Sequence, residues 1–138
     1  MVLAIRYFTK SKKGNTTKLA AAISEALGIE ALDITNPLTD KVDTLFLVNA
    51  MYAADIDSKL KNFIVENKDN IGEIVNLNTA ASGASTLKAV KKVAEKIGVK
   101  VSEKEFHCAA SWIFINKGKP TEEDLERAKE FALSIAAQ

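Results

Sequence analysis

Runs of apolar residues alternate with segments of helical periodicity along the whole chain. The apolar runs are short and nearly continuous, which is typical of strands covered on both faces of a sheet. The predicted strands are residues 2–8, 29–34, 44–48, 73–77 and 105–110, and the last of these could extend back to Val99 and Val101.

Four segments carry apolar residues at the three- and four-residue spacing of an amphipathic helix. Their apolar positions begin at Leu19, Ile56, Leu87 and Leu125. Helix ends are marked as well, because Gly28 and Gly98 stand where C-terminal caps belong. Ser85 and Thr121 are the predicted N-terminal caps of the third and fourth helices.

Alternating strands and helices predict parallel pairing through right-handed crossovers. The expected fold is α/β, a three-layer αβα sandwich around a five-stranded parallel sheet, in a single domain over residues 1–138. Such sheets bind ligands beyond the carboxyl ends of their strands, at the switch in strand order. The loops that matter are therefore 9–16, 49–55 and 78–84.

Composition and charge exclude several classes of function. Of 138 residues 47% are hydrophobic and 27% charged, and the formal net charge of +1 favours neither nucleic acid nor a membrane surface as partner. No apolar run is long enough for a membrane helix, and the first residues lack the layout of a signal peptide. With a single cysteine, Cys108, these features predict a cytoplasmic protein.

The loop after the first strand concentrates groups that bind anions. Residues 9–17 contain four hydroxyl side chains, three lysines and Gly14. Hydroxyls and backbone N–H groups at a helix start can enclose a phosphate, and a glycine lets the backbone close around it. The alternative is a cluster that caps the helix without a ligand. Four hydroxyls exceed what one cap requires, so we expect an anion site.

The same loop resembles the phosphate-binding fingerprint of flavodoxins, Ser/Thr-x-Thr-Gly-Asn-Thr, over residues 11–16. Residues 116–125 resemble a second flavodoxin segment, Lys-Gly-x-Pro-x-x-x-Asp-Leu. Lys13 stands where the family usually has threonine. The resemblance covers the whole chain in element order, is closest to the short-chain flavodoxins, and implies FMN as cofactor. Its phosphate would be held by Thr9, Ser11, Lys13, Gly14, Asn15 and Thr16.

In flavodoxins the loops after strands 3 and 4 hold the flavin ring. The corresponding candidates are Ala50, Met51, Tyr52, Thr79, Ala80, Ser82 and Gly83. Tyr52 is the stacking candidate, although it could instead be a loop aromatic that covers the sheet edge. Trp112 could reach the same rim or, as the favoured alternative, pack against the final helix. The 49–54 loop has no glycine, the residue that eases backbone rearrangement there in the family.

The expected function is that of an FMN-binding electron carrier that serves unknown redox partner proteins as a monomer or weak dimer. Two alternatives stay open: an NAD(P)H-dependent FMN or quinone reductase, or a binding domain that has lost FMN. The chain has no Walker phosphate loop, and the residue six positions after Cys108 is Phe114 rather than a phosphatase arginine. With His107 as the single histidine, neither catalytic residues nor a metal site are predicted.

Overall fold

A computed structural model describes residues 1–10, 14–111 and 118–138. Ser11, Lys13, Trp112 and the start of the second flavodoxin-like segment lie outside these described residues. The strands are β1 (Leu3–Tyr7), β2 (Ala31–Asp33), β3 (Val42–Ala50), β4 (Ile71–Ala80), β5 (Lys100–Val101) and β6 (Phe106–Ala109). The helices are α1 (Asn15–Leu27), α2 (Ser58–Glu66), α3 (Leu87–Lys96) and α4 (Glu122–Ala136), with a short 3-10 helix at Lys68–Asn70.

All strand pairs of the sheet are parallel, in the order β2-β1-β3-β4-β5, with β6 also paired to β4. This is the doubly wound order of the flavodoxin-like fold, so the predicted fold class is confirmed. One apolar core contains α2 and α3, and a second contains α1 and α4. The switch in strand order falls between β1 and β3.

The fifth strand position is filled by two segments. Val101 pairs with Ile74 and Phe106 with Leu77, so two residues of β4 between these pairs lie opposite four residues of the neighbouring segment. The additional residues interrupt the ladder and divide the predicted strand into β5 and β6. The sheet therefore has five strand positions, as predicted, but six strands.

Strands β3 and β4 run further than the sequence pattern predicts. Each continues through polar residues at its carboxyl end, where Asn49 pairs in register with Asn78. Both amides are fully buried, and side-chain hydrogen bonds satisfy them. The prediction ended these strands early because buried asparagines look like loop residues in a sequence.

The predicted caps Gly28 and Thr121 are confirmed, whereas the cap positions of α3 are occupied by Thr86 and Ile97 rather than by Ser85 and Gly98. Gly28 adopts the left-handed conformation at φ 68° after α1. Thr121 and Asp124 form a reciprocal capping box at the start of α4. Helix α3 begins one residue later than expected, with Thr86 at the N-cap position. The Thr86 hydroxyl is bonded to Asn49 and does not cap the helix. The Ser85 hydroxyl instead accepts a bond from the Leu87 N–H at 2.9 Å.

The described helices include none with the length and apolar character needed to cross a bilayer. Cys108 is buried on β6, where it is 7% exposed. Burial raises the pKa of its thiol to about 11. His107 lies at the surface on the same strand, with Nδ1 2.7 Å from the carbonyl oxygen of Gly83.

Candidate functional site

A cleft of about 570 Å³ opens at the carboxyl edge of the sheet and includes the start of α1. Nine residues predicted as site residues line it: Thr9, Gly14, Asn15, Thr16, Ala50, Met51, Tyr52, Thr79 and Ala80. The three loops selected from the sequence therefore meet in one place, at the switch in strand order. Two larger grooves exist, but each lies against α2 rather than at the start of α1.

Ser82 and Gly83 do not line this cleft. Gly83 has a φ of +79°, and its backbone lies against Ala109 of β6. The turn that contains both residues closes with a bond from the Gly83 N–H to the Ala80 carbonyl at 3.0 Å.

Four lining residues were not among the predicted ones: Ala53, Ala81, Ala110 and Ser111. Ala53 and Ala81 are neighbours of predicted residues in the same loops. Ala110 and Ser111 follow β6, so the rule that selected the ends of strands 1, 3 and 4 could also have selected them. Their small or generic side chains gave no further signal.

The start of α1 is suited to hold an anion. Its N-cap is Gly14, which has no side chain to accept a bond from the first-turn N–H groups, and no acidic residue lies in that turn. Within the part of the chain that the structure describes, no side chain caps these N–H groups, so they and the positive end of the helix dipole suit an anion. In addition, Thr17 Oγ1 is buried and has no hydrogen-bond partner among the described residues.

Two polar contacts fix this helix start against the rest of the cleft. Asn15 Nδ2 donates to the carbonyl and hydroxyl oxygens of Ser111, each at 3.2 Å. Thr16 Oγ1 lies 2.9 Å from Thr79 Oγ1 in a buried position. Only one hydroxyl of such a pair donates to the other, so the second proton is left for another acceptor.

Tyr52 is held by the first loop. The Lys10 N–H donates to its hydroxyl at 3.0 Å, and the Lys10 ammonium lies 4.4 Å from the ring centroid. The same ammonium lies 3.6 Å from a carboxylate oxygen of Asp57, the N-cap of α2. One face of the ring is thus covered by a cation. A stacked ligand would need the opposite face or the ring edge.

Tyr52 also begins a tight hairpin. It exchanges backbone bonds with Asp55 at 2.8 and 3.0 Å, and the two residues between them have φ values of 51° (Ala53) and 61° (Ala54). Positive φ at both central positions is the pattern of a type I′ turn, which normally contains asparagine or glycine. The loop without glycine therefore uses two alanines in a left-handed conformation.

Behind the cleft, three buried side chains form a closed ring of hydrogen bonds. Asn49 Nδ2 donates to Asn76 Oδ1 at 2.8 Å, and Asn76 Nδ2 donates to Thr86 Oγ1 at 2.9 Å. Thr86 Oγ1 donates back to Asn49 Oδ1 at 2.7 Å. The ring ties the ends of β3 and β4 to the start of α3 and thereby fixes the loops that follow these strands.

The described residues contain no group of three histidine, cysteine or acidic side chains that could hold a metal. The site consists instead of an open helix start, hydroxyls and small apolar side chains. The fold and this arrangement define a flavodoxin-like αβα protein with a candidate anion-binding cleft.

No protein-family model matches the sequence, and no curated protein sequence matches it. The fold does match solved structures. A flavodoxin from the domain Archaea superimposes with a TM-score of 0.74 at 15% identity, over 99% of this chain and 97% of that one. A short-chain flavodoxin associated with a bacterial microcompartment gives 0.71 at 18% identity, over 99% and 98%.

The same fold also occurs inside a larger protein. The flavodiiron core of Flv1 from Synechocystis sp. PCC6803 matches with a TM-score of 0.73 at 14% identity, over 98% of this chain and 35% of that one. At these identities the likeness is one of fold. The chain therefore has the flavodoxin fold over almost its full length.

Proposed function

We propose that this protein binds FMN and acts as an electron carrier, with the phosphate at the start of α1 and the flavin ring along the alanine-rich part of the cleft. The observation that carries the proposal is the glycine-capped start of α1, which opens into the cleft with no acid in its first turn. A phosphate dianion is the kind of group that this end of a helix stabilises.

The side chains present fit the cofactor. Thr17 does not line the cleft, but it lies in the first turn of α1 beside the lining residues, and its buried hydroxyl lacks a partner among the described residues. A phosphate oxygen at this helix start would supply one. The sequence of the preceding loop contains three lysines, a composition that favours an anionic ligand. A volume of about 570 Å³ lies within the range of cofactor pockets.

The remainder of the cleft suits a flat aromatic ring. Ala50, Ala80, Ala81 and Ala110 present methyl groups, so a planar ring can approach the backbone closely, while Met51 offers a polarisable apolar wall. FMN supplies the redox chemistry when bound, and the protein supplies binding and orientation. With Lys10 over one face of Tyr52, we expect the tyrosine to contribute its other face or its edge.

The experiment is a titration of the purified chain with FMN and, separately, with riboflavin, followed by flavin absorbance and fluorescence. Riboflavin lacks the phosphate but has the same ring. We expect FMN to bind at least about tenfold more tightly, since a charged group in a built site contributes at least one factor of ten. Equal affinities for FMN and riboflavin would contradict a phosphate site. No FMN binding at about 10 μM would contradict the proposed function.

A variant sharpens this test. Thr17→Val keeps the side-chain shape and removes the partnerless hydroxyl, so it should leave the ligand-free protein as stable as before or more stable. It should weaken FMN binding and leave riboflavin binding unchanged. If FMN binds, its absorbance should not be bleached by NADPH in the absence of a partner reductase. Bleaching under these conditions would indicate a reductase rather than an electron carrier.

A further inference from the structure

A second groove, of about 750 Å³, runs between α2 and α3 and ends at the hairpin turn of Ala53 and Ala54. Its floor is apolar and includes Val93, Ile97 and Val65, the last of which is 44% exposed. We call it the α2–α3 groove.

The rim of the α2–α3 groove is basic. Lys88, Lys92 and Lys96 follow one another at four-residue spacing along α3, and Lys61 faces them from α2. Within the described residues the three α3 lysines form no ion pair, whereas Lys91, on another side of that helix, pairs with Glu103. Like charges at this spacing repel each other within a helix, so the row costs stability that an anionic partner would recover.

One carboxylate of the chain already lies at the end of this groove. Asp55 Oδ2 is 2.8 Å from Lys61 Nζ. The pKa of Asp55 is lowered chiefly by the hydrogen bond from Lys61 and by the N–H of Ile56, and the charge of Lys92 adds to the effect. The field of the groove therefore favours carboxylates.

We propose that the α2–α3 groove binds an acidic segment of a partner protein, with carboxylates spaced about 6 Å apart on the lysine row and an apolar side chain on the floor. That spacing is one helical turn of four residues, so an amphipathic acidic helix fits the row. The apolar floor favours a protein over a nucleic acid, because an apolar side chain of a peptide can pack on it whereas a phosphate backbone cannot.

The groove lies beside the candidate cofactor cleft, because Ala53 lines both. A partner bound there would sit next to the turn that borders the cleft. Its role as an electron-exchange partner rests on the proposed function, whereas the binding of an acidic segment does not.

The probe is a labelled amphipathic peptide of about twelve residues, with glutamates at four-residue spacing and leucines beside them. Binding to the full chain without flavin is measured by fluorescence anisotropy at low salt and mapped by amide chemical shifts. The double variant Lys88→Glu/Lys92→Glu reverses the charge of two of the three lysines in the row. The control Lys41→Glu/Lys68→Glu changes net charge equally at two exposed lysines outside the groove.

We expect the amide chemical shifts that change on peptide binding to be confined to α2, α3 and the turn of Ala53 and Ala54. The affinity for the peptide should fall at least about tenfold in the groove variant but at most about twofold in the control. Equal losses in both variants, or shifts elsewhere, would overturn the proposal. A single-stranded oligonucleotide of equal charge that binds the groove as tightly would overturn the assignment to a protein partner. Peptide binding without FMN binding would support the groove as a binding site and reject the flavin function. FMN binding without peptide binding would support the flavin function and reject the groove as a binding site.

Discussion

The hydroxyl oxygens of Thr16 and Thr79 lie 2.9 Å apart in a buried position, where they join the first turn of α1 to the end of β4. The two residues are 63 positions apart in the chain. This contact brings the candidate phosphate-binding helix start against the strand end that lines the same cleft. It is also a buried polar contact whose loss leaves a hydroxyl without a partner.

Thr79→Val should therefore lower the free energy of unfolding by about 1–2 kcal/mol, because the Thr16 hydroxyl stays buried with its bond removed. Urea unfolding of the ligand-free chain measures the effect. Thr79→Ser retains the hydroxyl and should lose less. A serine variant as unstable as the valine variant would show that the bond contributes nothing.

The hairpin turn between Tyr52 and Asp55 holds Ala53 and Ala54 at positive φ, where an L-residue with a Cβ is disfavoured by about 1–2 kcal/mol. Ala54→Gly should raise the unfolding free energy, by about 1 kcal/mol, because glycine adopts this conformation without a steric cost. The matched control is Ala21→Gly at an exposed position inside α1, which should lower stability by about the same amount. Thermal unfolding of the two variants should thus show shifts of opposite sign, and two losses would contradict the strained turn.

The ring of Asn49, Asn76 and Thr86 predicts a pH-dependent defect in Asn49→Asp. The new carboxylate would face the carbonyl oxygens of Leu47 and Leu77 and the side-chain oxygen of Asn76, all of which now accept from the Asn49 amide. We expect a loss of about 3 kcal/mol or more near neutral pH, since a buried charge that keeps only the Thr86 hydroxyl as donor is costly. Burial raises the pKa of such a carboxyl, so the folded state binds the proton more tightly and stability recovers as pH falls. Thermal midpoints from about pH 8 to pH 5 test this, and a flat profile would contradict it.

The sequence predicted the layers, the parallel pairing of the strands and the place where the loops meet, because these follow from periodicity and from the geometry of parallel sheets. Nine site residues line one cleft for that reason. Contacts that depend on loop conformation were not predictable. The Lys10 ammonium over Tyr52 requires knowledge of how two distant loops meet. Likewise, Asn49 was assigned to a loop although its amide is buried and bonded to Asn76, because partners that satisfy a buried amide are invisible in a sequence.

The capping box at the start of α4 gives a second pH dependence, opposite in sign to that of Asn49→Asp. Burial alone would raise the pKa of Asp124. Hydrogen bonds with the Thr121 N–H (2.8 Å) and with the Thr121 side chain lower this pKa, and so do the charges of Lys119 and Arg127, so that the pKa is lowered overall. A carboxyl with a lowered pKa in the folded state stabilises the protein above its unfolded pKa of about 3.9, and this stabilisation is lost as pH falls through the folded value. Asp124→Asn should therefore cost about 1–2 kcal/mol at pH 7 and progressively less below about pH 4.

Urea unfolding of wild type and Asp124→Asn at several pH values measures that difference. Glu122→Gln serves as the control, because it removes a carboxylate from the same helix turn without touching the capping box. Its effect should stay within about 0.5 kcal/mol at pH 7, the size of an exposed charge near a helix start. An Asp124→Asn deficit that persists unchanged in acid would assign the effect to packing rather than to the ionised carboxylate.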